Sequence, residues 1–416
     1  MDDGEDKMTE KEGVFLNEED IVEVIDLDED ESIQAGELVN MLADHMDDVG
    51  IGEGDIEHED GMEGAEYSVR DDAEVVFTSH RGSVFCVHTD PETCSMAVTG
   101  GEDDRAFVWK LGSGEEVLEC TGHKDSVVAC AFNRNSKYVA TGDMSGLLKV
   151  WELATQKEVW TFECSDLEWL CWHGSTDVLL AGTTDGNMWM WMIPSGLCKT
   201  YQGPGCSCSC GKIMPDGKQV CAGYEDGSVR VWDLKAGSPS FTVSGHESFD
   251  GGVTCIDCHK DNNMVLAGSS DVTAKLFNVN SKKVLCSFNC ASAEMSSEEN
   301  SVEAVGFSST TTFAATGTLE GKMTIWDIPS QSKRFECKHE AGIVRLRWDT
   351  TLPLVFTCAL DGVTQLWDAR SGKREAEWSG HQGEILDFGF TRDSNLMVTC
   401  SGDSTARVFN LTAVDR

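Results

Sequence analysis

Eight times, at nearly even spacing, the chain closes a short apolar run on an aromatic anchor. The anchors are Trp109 in AFVWK, Trp151 in LKVWE, Trp191 in MWMWM and Trp232 in VRVWD, then Phe277 in AKLFN, Trp326 in MTIWD, Trp367 in TQLWD and Phe409 in ARVFN. They stand 42, 40, 41, 45, 49, 41 and 42 residues apart. A unit of this length is one small sheet that cannot bury its own apolar face. It is stable only when stacked on its neighbours. Nearly everything after residue 74 is therefore committed to one closed array, and function belongs on its rims.

A period of about 40–45 residues, with Gly-His before each unit and Trp-Asp after it, is the WD40 pattern of a β-propeller. The first repeat shows the unit. Ser79-His80 precedes a strand over 84–88, a turn at Asp90-Pro91 and a second strand over 96–99. A tight turn over 102–105 leads to a third strand over 106–110, and 115–120 supplies the outer one. Alternating apolar residues bounded by Asp, Gly and Pro read as strands and turns. The last repeat lacks an outer strand, because only LTAVDR follows Asn410. The segment 74–78 precedes the first Ser-His without a repeat of its own. The expectation is an all-β, eight-bladed WD40 propeller over 74–416 whose eighth blade is closed by strand 74–78, with an acidic disordered tail over 1–73. Closure of this kind removes exposed sheet edges.

Charge is the second constraint. The chain of 416 residues carries a formal charge of −41. Residues 1–74 hold 29 Asp or Glu against three Lys or Arg, a net −26, which leaves −15 for the remainder. Both parts repel nucleic acid and attract a cationic partner in a salt-sensitive way. Within the tail, 17–28 alternates acids with branched apolar residues, and Leu38, Met41, Leu42 and Met46 fall at helical spacing. These stretches are either plain solvated tail or short motifs that fold on a partner. The N-terminus MDDGEDKMTE lacks an apolar signal core, and no apolar run reaches membrane-spanning length. The 18 cysteines then read as small apolar residues in a reducing compartment.

His, Asp and Thr recur together. Repeat 1 has His80, Thr99 and Asp103 with Trp109; repeat 7 has His339, Thr357 and Asp361 with Trp367; repeat 8 has His381, Thr399 and Asp403. A catalytic set occurs once, whereas this one returns with the blades. It reads as a buried hydrogen-bond network, and the protein as a non-enzyme. Repeat 2 shows Ser145 where Asp is expected, repeat 6 shows Glu320, and repeats 3, 4 and 6 lack Gly-His. Those blades are expected to lean on packing. Cys206–Cys210 and Cys255-Ile-Asp-Cys258-His259 are thiol-dense but have no second ligand pair at zinc spacing. No cofactor or metal is expected. The insertions 246–252 and 291–300 read either as neutral loops or as neighbours of a binding surface.

The residue before each network Asp and those just after each His end at one rim. On repeats 1 and 2 these are Glu102, Asp104, Asp125 and Asp143; elsewhere they are Glu168, Glu225, Glu340 and Glu384. Phe85, Trp169, Leu170 and Leu386 are the apolar neighbours at the mouth. Acids beside apolar anchors suit a basic protein or a Lys/Arg-rich peptide. The plainer reading is that rim acids only solubilise the ring.

The runs TGGEDDRAFVWKL (99–111), GHKDSVVACAF (122–132), ATGDMSGLLKVW (140–151), DLEWLCWH (166–173), LLAGTTDGNMWMW (179–191) and GYEDGSVRVWDLKAGSP (223–239) resemble the angio-associated migratory cell protein family. EDIVEVIDLD in the tail resembles that family's acidic N-terminal patch. The resemblance implies a cytoplasmic scaffold, in part at the cell membrane, linked to cell migration and angiogenesis; a monomer is expected, with any membrane association made through its partners. The family is also similar to an eight-bladed fungal propeller that chaperones a basic large-subunit ribosomal protein, which implies a role in ribosome assembly as the alternative.

Overall fold

In the computed structural model, which describes residues 70–291 and 300–412, 32 strands form eight four-stranded antiparallel sheets. The first blade is Val84–Thr89, Met96–Gly101, Ala106–Lys110 and Glu116–Cys120. Seven blades take four consecutive strands each. The eighth is made of Ile385–Phe390, Leu396–Ser401 and Ala406–Asn410, with Val75–Phe77 as its outermost strand. Val75 pairs with Val408 and Phe77 with Ala406, so the chain's beginning completes its last blade. Residues 1–69 of the expected tail and most of the 291–300 insertion lie outside the described residues, while 70–73 are described and Asp72 N–H donates to Ser379 O.

No blade has a core of its own. The buried apolar residues fall into eight layers, each shared by two adjacent blades. Each aromatic anchor sits in the layer toward the preceding blade. Trp151 packs with Cys86, Val98 and Val108 of blade 1, and Trp232 with Val178, Leu180 and Met190 of blade 3. The ring closes through the layer that joins blade 8 to blade 1. There Phe77 stacks on Trp109 at 4.7 Å with planes 4° apart, and meets Phe107 edge-on. Burying a large apolar side chain stabilises by about 1.5–3 kcal/mol, and only a neighbouring blade makes that burial possible.

The antiparallel order puts two sets of connections on one face, here the top. These are the loops from each outer strand to the next inner strand, and the turns between second and third strands. The sets are tied together blade by blade: Glu102 N–H donates to Ser83 O, Met144 N–H to Ser126 O, Thr184 N–H to Asp166 O and Leu360 N–H to Gly342 O, at 2.9–3.0 Å. This ladder makes the top a rigid platform.

Candidate functional site

The platform rests on the buried networks. In blade 1, His80 spans Asp103 through Nδ1 (3.0 Å) and Thr99 through Nε2 (3.0 Å), and Trp109 Nε1 donates to the same Thr99 hydroxyl (3.3 Å). Asp103 also accepts from the Arg81 N–H (3.0 Å). Blade 8 repeats this with His381, Asp403 (2.9 Å) and Thr399 (2.7 Å), and the Gln382 N–H adds a bond at 3.0 Å. Burial alone would raise both carboxyls. The histidine and the backbone N–H groups outweigh it and hold Asp103 and Asp403 below the usual range.

Three expectations are corrected here. Asp143 is not a rim acid: it is fully buried and completes the network of blade 2. It meets His123 Nδ1 at 3.1 Å and accepts from the Lys124 N–H (2.9 Å) and the Ser145 hydroxyl (2.8 Å). Burial would raise it, but these donors lower its pKa to about 2. Blade 2 therefore does not lean on packing alone. Blades 4 and 6 also have substitutes: Trp232 Nε1 donates to the Tyr224 hydroxyl (3.1 Å), and Cys290 Sγ contacts Thr316 Oγ1 at 3.5 Å where a histidine would stand.

Asp361 does not join His339. Its carboxylate accepts from the Val363 N–H at 3.1 Å, while His339 Nδ1 is buried without a hydrogen-bond partner. His339 keeps only its other nitrogen engaged, on Thr357 at 2.5 Å, and Trp367 Nε1 shares that hydroxyl at 3.0 Å. Burial, with the charge of Arg374 adding to it, lowers the His339 pKa to about 4. Lost hydration on its inner side, with the charges of Glu377 and Glu340 nearby, raises Asp361.

Trp169 is not an anchor at the mouth. Its indole lies between blades 3 and 4, where a Cβ on Gly182 would come within 2.1 Å of it and one on Gly211 within 2.2 Å. Those glycines exist for this close approach. Leu170 likewise packs into the layer between blades 2 and 3.

The other rim residues stand as follows. Glu102, Asp104, Asp125, Glu225, Glu340 and Glu384 are exposed on the top face. Glu102 accepts from the Ser83 N–H (2.9 Å) and Asp125 from the Ser126 N–H (2.7 Å), so both are held upright. Seven inner strands carry a β-bulge one residue in from the top, and Phe85, Glu168 and Leu386 are bulge residues in blades 1, 3 and 8. Glu168 accepts from the Ser207 hydroxyl (2.6 Å); lost hydration near the mouth, then the charges of Glu225 and Asp166, raise its pKa. The opposite face is mixed, with Arg134, Lys137, Lys218, Lys260 and Arg392 among its turn residues.

Sequence reasoning missed two residues. Leu319 (38% exposed) and Leu360 (41%) are two of four large apolar side chains exposed among the described residues. They hold the same turn position in adjacent blades 6 and 7 that Glu102 holds in blade 1. The signal was present in the sequence, since the residue before the turn acid is apolar in those two repeats.

The cysteines are all free thiols, and among the described residues no three His, Cys, Asp or Glu side chains gather as a metal site. Cys208 is fully buried, and burial pushes its thiol up to about 12.

Comparison with known proteins gives two family matches. The WD domain, G-beta repeat model matches residues 73–110, 114–152 and 195–233, and the Nucleolar protein 10-like, N-terminal domain model matches 241–413. The chain is 46% identical over 420 residues to the angio-associated migratory cell protein of Homo sapiens, covering 97% of this chain and 95% of that one. It is 24% identical over 368 residues to the ribosome assembly protein SQT1 of Saccharomyces cerevisiae, covering 79% and 82%. Among solved structures, Chaetomium thermophilum Sqt1 bound to the N-terminus of the ribosomal protein L10 superposes with a TM-score of 0.75 at 21% identity, over 82% of this chain and 100% of that one. That likeness is one of fold.

Proposed function

The chain belongs to the family of the angio-associated migratory cell protein, a WD40-propeller interaction scaffold, and on that footing we propose that its acidic top face captures a Lys/Arg-rich segment of a basic protein. The client we favour is a newly made ribosomal protein, which the propeller escorts into ribosome assembly. The observation that carries this is the one-sided charge: acids held upright on a rigid top platform, against a mixed bottom. A fold neighbour solved with the N-terminus of a ribosomal protein supports the choice of client. The protein works without catalysis, because its His–Asp–Thr sets are structural and recur with the blades. It acts as a cytoplasmic monomer, and any membrane contact is made through partners. The name of the 46%-identical relative favours a second reading, a scaffold for cell migration.

Electrostatic steering raises association rates by roughly 10–1,000-fold and fades as ionic strength rises. The test is association kinetics of an N-terminal ribosomal-protein peptide at two salt concentrations, with Glu102→Lys and Glu225→Lys. Slower association in the variants and at high salt is expected. Rates indifferent to both would move the function off this face, toward the migration reading.

A further inference from the structure

Blade 7 departs from the pattern in a way that packing does not explain. In blades 1, 2 and 8 the network Asp is saturated by a histidine Nδ1 and by the N–H of the residue after it. In blade 7 the same two residue types are present at the spacing of blade 8, yet neither bond forms. Asp361 instead stands exposed on the top face, with the Val363 N–H as its donor. His339, 1% exposed, is left with an unpartnered Nδ1 directed to the place an Asp fills in the other blades. An exposed carboxylate released from its structural partner keeps its lone pairs open to an incoming cation.

The surroundings narrow the class of ligand. Glu340 is exposed beside Asp361, close enough for its charge to act on that carboxyl. Leu360 and Leu319 flank the two acids. Gly342 keeps the floor low, since a Cβ there would lie 3.1 Å from Leu360 Cδ1 and 2.5 Å from Leu319 O. Two carboxylates side by side match the planar fork of a guanidinium better than the point charge of an ammonium. Exposed leucines beside them offer cover to an apolar residue next in the peptide.

We infer that the top of blade 7 is the specificity site of the acidic face: Asp361 and Glu340 take one arginine side chain of the client, and Leu319 and Leu360 cover an adjoining apolar residue. This rests on the reading of the top face as the site of a basic client. It adds a register, so that the client is held at one blade rather than smeared over the ring. The remaining acids steer; this site selects.

The test uses the full chain and two probe peptides, a short oligoarginine and one with a leucine set among the arginines, with Kd read by fluorescence anisotropy. Asp361→Asn should weaken oligoarginine binding by about ten-fold, which corresponds to about 1.4 kcal/mol. Glu225→Gln, the same loss of one charge three blades away, should weaken it by no more than about two-fold. Leu319→Ser with Leu360→Ser should abolish the preference for the leucine-containing peptide and leave oligoarginine binding as it was. Thermal melts of each variant check folding, and Asp361→Asn should melt with the parent. Equal effects of Asp361→Asn and Glu225→Gln would overturn the site while leaving the acidic-face reading intact. Failure of the parent chain to bind either peptide at low salt would overturn that reading itself.

Discussion

Two aspartates at the same place in their repeats should differ sharply in what they contribute to stability. Asp403 accepts from His381 Nδ1, the Gln382 N–H, the Thr405 N–H (3.0 Å) and the Thr405 hydroxyl (2.6 Å). Replacing it by Ala strands the donor of a histidine that is 6% exposed. Hydrogen bonds to a charged group are worth about 1.5–3 kcal/mol each, and an orphaned buried donor costs about 1–3 kcal/mol. Water reaches the Gln382 and Thr405 groups, so the expected loss is about 3 kcal/mol rather than the sum. Asp361→Ala removes only the bond to Val363, on an exposed side chain, and should cost about 0.5 kcal/mol. Asp403→Asn, which keeps an acceptor but not its charge, should fall between them.

Guanidinium unfolding followed by tryptophan fluorescence gives the midpoints, with twelve tryptophans as reporters. The pH response adds a second axis. The folded pKa of Asp403 is depressed, so its stabilisation is present above the unfolded value near 3.8 and is lost as pH falls below it. Asp361 is raised and works in the opposite sense, costing stability once ionised. Asp403→Ala should therefore flatten part of the acid-side decline, and Asp361→Ala should not. If both substitutions cost the same few kcal/mol, Asp361 bonds His339 in solution and is not available to a ligand.

Other consequences are equally concrete. Phe77→Ala should destabilise the ring by about 3–5 kcal/mol, because it empties the stack on Trp109 that joins blade 8 to blade 1; a chain starting at residue 70 should match the full chain in thermal melts, and one starting at residue 79 should not. His339 has its pKa pushed down to about 4 by burial against about 6.5 when unfolded, so the unfolded chain takes the proton first as pH falls. Stability should drop by about 2 kcal/mol between pH 7 and pH 5, and His339→Asn should remove that component; an unchanged slope would contradict it. Gly182→Ala should disrupt the blade 3–4 layer, because its Cβ would land on the Trp169 indole; near-ultraviolet circular dichroism reads the lost aromatic packing, and a parent-like spectrum would count against the sandwich.

The architecture was legible because its signal is periodic. Anchors every 40–49 residues fix the number of blades, and a last repeat one strand short points to the orphan segment at the start, where Val75–Phe77 now lies. Individual roles were less legible where geometry overrides spacing. Asp143 lies two residues after Thr141, whereas Asp103 and Asp403 lie four after Thr99 and Thr399. A fixed offset therefore missed it, although Ser145 at the expected offset turns back to support it. Asp361 has the expected offset and still does not bond, because spacing says nothing about rotamer. Trp169 follows a bulge, and the side of the inner strand that faces the next blade cannot be read from alternation once a bulge has shifted the register. Leu319 and Leu360 were not legible from charge, which is the rim's dominant pattern.

Repetition also separates structure from recognition. A feature that returns in each blade serves the ring, and a departure confined to one blade is free to serve a ligand. Blade 7 keeps both His339 and Asp361 without the bond between them, and residues 71 and 72 lie beside it. Asp71 pairs with Arg407, and the backbone of Asp72 donates to Ser379 O at 2.9 Å. Ser379 opens the top loop between blades 7 and 8. The described chain starts at residue 70, so Asp71 and Asp72 meet the ring at its top edge between blades 7 and 8. A cationic segment approaching the top face meets, at blade 7, two neighbouring carboxylates and two exposed leucines. Steering and selection then act at the same place, and salt weakens the first far more than the second.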